Sequence, residues 1–182
     1  KQSRAEQVML FLVVAGLSWA FLCALTLSIG RDALTYHLAL PDQYLLRHSI
    51  APPGPGSHYL AWQQFEMTVA PYLLLDRSGQ AVNLLNFLLL AVIVRGCYRL
   101  GSGCGSRFNG LLAAAAVSTS PLLLKSIDLT CIDLLATALV IRAALLLGDP
   151  RPRSSVLFGL FSGGALAVTP GSAFAVLPLF AL

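Results

Sequence analysis

The sequence predicts an all-α, polytopic transmembrane helical bundle, and three observations carry that prediction. Hydrophobic residues fill 57% of the 182 positions and charged residues only 11%, where an ordinary soluble domain carries about 25% charged residues. Mean hydropathy is +0.76. The apolar residues also gather into long runs, separated by short basic or glycine- and proline-rich stretches, as expected of helices that cross a hydrocarbon layer of about 30 Å. Soluble α/β and all-β architectures are set aside on this composition, and the length suggests one domain. The chain starts at Lys1 and stops inside an apolar run at Leu182, which reads as a piece of a longer protein or part of a subunit.

Taken in order, residues 8–29 form the first apolar run. It reaches the roughly 20 residues that a span needs and exceeds the ~7–15-residue apolar stretch of a secretory signal. Residues 30–78 form a long loop, rich in titratable groups at 30–50 and unable to be helical at Ala51-Pro-Pro-Gly-Pro-Gly56. Further spans are predicted at about 79–98, 108–124, 129–147 and 155–169, with an incomplete one at 171–182. Segment 59–75 is apolar as well, but Gln63, Gln64 and Glu66 interrupt it.

Charge decides whether that interrupted segment crosses. With the N-terminus cytoplasmic and 59–75 outside the count, Lys1, Arg4, Arg95, Arg99, Arg107, Arg142, Arg151 and Arg153 all fall on the cytoplasmic side, as the positive-inside rule requires. A crossing would reverse both basic loops and would place a carboxylate at mid-bilayer, at about 2.5–3.5 kcal/mol. The segment is therefore expected to be an amphipathic juxtamembrane helix on the outer interface. Asp32, Asp42, Glu66, Asp76, Asp128 and Asp133 then lie outside, and only Glu6 and Asp149 inside. The rule concerns Lys and Arg, so it leaves the acidic outer face to be explained by function.

The net charge of +4 belongs to this topology, and no nucleic-acid partner is expected. Cys23, Cys97, Cys104 and Cys131 lack zinc-finger spacing and read as free thiols in small packing positions. Ala15, Gly16, Ala20 and Ala113 to Ala116 are small enough for close helix approach. Asn83 and Asn86 suit interhelical hydrogen bonds. Gly101-Ser-Gly-Cys-Gly-Ser106 follows a membrane run rather than a strand and lacks the Lys-Ser/Thr ending of a phosphate loop, so it is expected to be a flexible cytoplasmic turn.

Among the acids, Asp32 stands at the outer end of the first run, with Tyr36 and His37 four and five residues on. Helical spacing would put Asp32 and Tyr36 on one face. An acid there is an N-cap, a general base for an acceptor hydroxyl, or a ligand for a divalent cation; the three remain open. Glu66 lies inside an apolar segment, where it either points to water or turns into a site. Asp128 reads as a helix-capping charge, and Asp133 lies too far into its run for that reading. His37, His48 and His58 lack the spacing of a helical metal pair, which leaves polar loop histidines as the default.

The strings DALTYHLALPDQYLLRHSI, QQFEM, NLLNFLLLAVIVRGCYRLG and LLAAAAVSTSPLLLKSIDLTCIDLLATAL occur in this order over residues 8–147. Together they resemble the bacterial integral-membrane glycosyltransferases of the GT-C class, which include protein O-mannosyltransferases and aminoarabinose transferases. The resemblance implies a first helix followed by an outer loop with juxtamembrane helices, and a bacterial inner-membrane location. It also implies transfer of a sugar from a polyprenyl-phosphate donor to an acceptor outside the membrane. Position by position it makes Asp32 the base, Glu66 the acid of the second juxtamembrane segment and Asp133 the acid opening a later helix. Arg31 or Lys125 would hold the donor phosphate, and Tyr36 and His37 would line the substrate. Asp32, Glu66 and Asp133 are then expected to converge on one water-accessible cavity. Relatives carry further helices, so the alternative is a non-catalytic structural subunit that keeps the fold within a larger membrane complex.

Overall fold

A computed structural model describes residues 2–27, 37–50, 64–127, 132–147, 149 and 151–180. Every regular element among them is helical. Nine α-helices run in the order α1 (Arg4–Ala24), α2 (Ala39–Arg47), α3 (Gln64–Leu75), α4 (Gln80–Gly103), α5 (Arg107–Ser118), α6 (Pro121–Lys125), α7 (Asp133–Ala144), α8 (Pro152–Val168) and α9 (Ala173–Leu179), with a single 3-10 turn at Pro170–Ser172 before α9.

Helix α1 starts at a capping box. Ser3 Oγ accepts from the Glu6 backbone N–H at 3.2 Å, and Glu6 Oε2 accepts from the Ser3 N–H at 2.8 Å, which satisfies two of the donors a helix start leaves bare. Its buried positions Gly16, Ala20 and Ala24 recur every fourth residue, so one narrow face of small side chains meets the bundle. A Cβ on Gly16 would lie 2.3 Å from the Ser118 carbonyl oxygen. Only glycine permits that crossing of α1 and α5. The rest of the helix exposes Val8, Phe11, Val14, Trp19 and Leu22.

Glycine shapes the α4–α5 hairpin in the same way. A Cβ on Gly110 would come within 2.6 Å of the Tyr98 carbonyl oxygen, and one on Gly101 within 2.8 Å of the Asn109 carbonyl oxygen. The stretch expected to be a flexible turn from Gly101 is therefore helical through Gly103, and the turn shrinks to Cys104–Ser106. Ser102 Oγ donates back to the Tyr98 carbonyl at 2.7 Å, and Ser106 opens α5 by accepting from the Asn109 N–H.

The contacts set the helix directions. Gln80 and Asn83, at the start of α4, donate to Leu25 and Thr26 carbonyls just past α1, so α4 runs back along α1. Gly96 of α4 meets Ile141 of α7, and Gly164 of α8 meets Leu139. Helices α1, α5 and α8 thus point one way and α4 and α7 the other. Their main core comprises Ala20, Ala24, Leu90, Ile93, Ala114, Ile127 and Leu134. At the end where α4 and α7 begin, a second cluster of Phe65, Val69, Leu73 and Val82 fixes α3 onto α4 and receives Leu38, Leu45, Ile132 and Leu135.

Two described helices, α1 and α4, are long and apolar enough to cross a bilayer. The expected run at 108–124 is instead two helices. The Ser118 and Thr119 hydroxyls turn back onto the Ala115 carbonyl, and Ser120 precedes Pro121, whose ring disfavours a helical residue before it. The run at 129–147 holds α7 of only 12 residues, about 18 Å long. The stretch at 171–182 contains the end of the 3-10 turn and the short α9.

Candidate functional site

The second cluster contains the most unusual polar pair among the described residues. His37 lies two residues before α2 and Glu66 in the first turn of α3; each is 5% exposed. His37 Nδ1 and Glu66 Oε1 are 2.7 Å apart, close enough that a proton lies between them. The imidazole meets Phe65 edge-to-face at 5.3 Å, and Val69 and Leu73 continue the buried face of α3. Glu66 Oε2 is buried and accepts no hydrogen bond among the described residues. A buried carboxylate oxygen left without a donor is costly.

This geometry resolves the two readings of Glu66: it turns inward. Helix α3 departs from the expected amphipathic surface helix, because its acid faces the protein while Met67, Leu74 and Leu75 face out, Leu75 at 82% exposure. The reason is the His37 side chain, which gives the carboxylate a partner inside, so that the apolar residues take the outer side. The described part of α3 is 12 residues, about 18 Å long.

Helix α4 presents amides at three-residue spacing. Gln80 Nε2 donates to the Leu25 carbonyl at 2.7 Å, Asn83 Nδ2 to Thr26 at 2.9 Å and Asn86 Nδ2 to Ile127 at 3.1 Å. They satisfy backbone carbonyls just beyond α1 and α6, as such ends require when buried. The interhelical role expected for Asn83 and Asn86 thus takes the form of side chain to backbone, and their Oδ1 atoms stay unpartnered among the described residues.

The acids do not all share this site. Asp133, the first residue of α7, is exposed and lines a separate cavity of about 440 Å³ with Leu122, Thr137, Ile141, Thr169 and Ser172; no residue of α2 or α3 contributes to it. Helix α7 carries Asp133 on the face toward α6 and α9, while Ile132 and Leu135 pack on the cluster around α3. Lys125 is exposed at the end of α6. Arg31, Asp32 and Tyr36 lie outside the described residues, as do His58, Asp128 and Cys131. His48 adopts a left-handed conformation with φ 50° and closes α2, so it serves as a helix cap. No three His, Cys, Asp or Glu residues converge as a metal site among the described residues.

Two other acids are structural. Asp76 accepts from Ser78 Oγ and from the Ser78, Gln80 and Ala81 N–H groups, so it caps α4, and these donors, Ser78 Oγ first, hold its carboxyl below the usual range. Asp149 accepts from the Arg151 guanidinium, Ser154 Oγ and the Arg151 N–H at the start of α8, and is held far below that range, chiefly by Arg151. The pairing of His37 with Glu66 was hidden from sequence reasoning, since the two are 29 residues apart; the signal available was an acid inside an apolar segment.

No protein-family model, curated protein or solved structure matches this chain.

Proposed function

We propose that the chain forms all or part of an integral-membrane glycosyltransferase that moves a sugar from a polyprenyl-phosphate donor to an acceptor at the outer side of the bacterial inner membrane. The observation that carries the reading is Glu66: buried, oriented by His37, and holding one idle carboxylate oxygen at the end of the bundle where Asp42, Asp76 and Asp133 also lie. The opposite end collects Arg4, Arg99, Arg107, Arg151 and Arg153, which supports a multi-pass arrangement with a cytoplasmic N-terminus. In this reading the acceptor hydroxyl gives its proton to a carboxylate as its oxygen bonds to the anomeric carbon. The bond from that carbon to the phosphate oxygen breaks, and polyprenyl phosphate leaves with the electron pair. Glu66 Oε2 is the described atom suited to take the proton, with His37 holding Oε1. Asp32, the base by resemblance, would act beside it, and Arg31, Tyr36 and Lys125 belong to the reading as binding groups.

Glu66→Gln tests this in the full-length protein in its own membranes. The amide still accepts from His37 but is no base, so release of polyprenyl phosphate from the cell's glycolipid donors should fall by about 10²–10⁴, the usual worth of a general base. Release within two-fold of the parent would remove Glu66 from the chemistry. The second reading, a structural subunit, is favoured by α8, where a Cβ on Gly159 or Gly163 would meet nothing. Small residues one turn apart with no neighbour suit packing against another membrane helix.

A further inference from the structure

The cavity bounded by α6, α7 and α9 has a graded wall. Asp133 and Thr137 lie one turn apart on α7, and Val140 and Ile141 continue the same face, so over about 12 Å the lining passes from carboxylate to hydroxyl to hydrocarbon. The Thr169 and Ser172 side of the cavity lies opposite, and Leu122 of α6, 74% exposed, opens it to the surroundings of the bundle. Asp133 has no ion pair among the described residues. A ligand that matches this wall has a cationic hydrogen-bond donor at one end and a hydrocarbon chain behind. We propose that the cavity binds a bilayer lipid of the phosphatidylethanolamine type, with its ammonium on Asp133 and the first part of an acyl chain against Val140 and Ile141. The assignment is independent of the transferase reading, since it uses none of Glu66, His37 and Lys125.

The test uses the full-length protein, purified in detergent, stripped of lipid and offered equal amounts of phosphatidylethanolamine, phosphatidylcholine and phosphatidylglycerol with identical chains. Bound lipid is read by native mass spectrometry. Phosphatidylethanolamine should be retained about five-fold over phosphatidylcholine, the upper worth of one exposed ammonium–carboxylate pair, because a trimethylated headgroup has no N–H to donate. Asp133→Asn should erase that preference, and Thr137→Leu, which fills the cavity, should lower retention of both zwitterionic lipids. Equal retention by the parent protein overturns the proposal, as does a preference for phosphatidylglycerol or a preference that survives Asp133→Asn. Should Asp133→Asn aggregate, unchanged retention by Thr137→Leu overturns it alone. Glycerophosphoethanolamine, the headgroup without chains, should compete weakly; competition equal to that of the lipid would show a soluble ligand instead.

Discussion

Glu66 and Asp149 each hold a cationic or proton-sharing partner at almost the same distance, 2.7 Å from His37 and 2.6 Å from Arg151, yet they sit in opposite circumstances. Asp149 lies at the exposed start of α8 and accepts from backbone, guanidinium and hydroxyl at once. Glu66 is buried among Phe65, Val69 and Leu73, with one partner and one bare oxygen among the described residues. The partly exposed carboxylate is saturated there and the buried one is half-used. Water could have served Asp149 for little, so its many bonds exist to shape a loop. Among the described residues nothing replaces water at Glu66 Oε2, and a buried oxygen left so costs stability.

The largest effect should come from removing the one partner Glu66 has among the described residues. His37→Leu leaves a buried carboxylate with no hydrogen bond, and such half-broken pairs cost about 3–5 kcal/mol. Unfolding in mixed micelles of increasing sodium dodecyl sulfate should show the loss, and adding Glu66→Leu should restore most of it, since replacing both members by apolar groups is close to neutral. A single variant as stable as the parent would mean that Glu66 reaches water or another donor, and the contrast with Asp149 would collapse.

The α4 amides test the same contrast at intermediate strength. Asn86 satisfies the Ile127 carbonyl but leaves its own Oδ1 idle, both atoms being buried. Asn86→Leu removes one interhelical bond and one unpaired acceptor together. The bond alone is worth about 0.6 kcal/mol on average in membrane proteins, and at most ~1.7. The measured loss should therefore stay near or below that average, and a loss above the maximum would show that Oδ1 has a donor after all.

How much of this was legible in the sequence follows from what each feature depends on. The helical class and the close approach at Gly16 rest on composition and local spacing, and both read directly. Helix ends read less well: the break at Ser118 to Ser120 comes from hydroxyls bonding back to Ala115, and the extension through Gly103 from a backbone crossing with α5, neither visible in hydropathy. Glu66 stood out as an acid in an apolar segment, but its inward turn depends on His37, brought to it by tertiary packing. The cavity that Asp133 lines was hidden for the same reason, since its place on α7 gives no hint of which neighbour that face meets.

The smallest effect concerns the saturated acids. In the folded chain the carboxyls of Asp149 and Asp76 both titrate below the ordinary aspartate range, held there by the hydrogen bonds they accept. A depressed carboxylate adds stability that is complete above its unfolded pKa and is lost as pH falls through the folded one. Their contribution should thus hold from neutrality down to about pH 4 and fade below it, beginning with Asp76, because the Asp149 carboxyl stays ionised far lower. Both groups are partly open to solvent, which screens them, so the shift in melting temperature should be slight. Melting profiles of the parent and of Asp149→Asn between pH 7 and pH 3 (on the order of the range a detergent-solubilised protein tolerates) provide the check. The variant should melt lower than the parent near neutrality, and the gap should persist to about pH 4, since the parent keeps its charged cap throughout that window. A gap that closes well above pH 4 would mean that Arg151 does not hold the carboxylate in solution, and that the saturated end is looser than its hydrogen bonds imply.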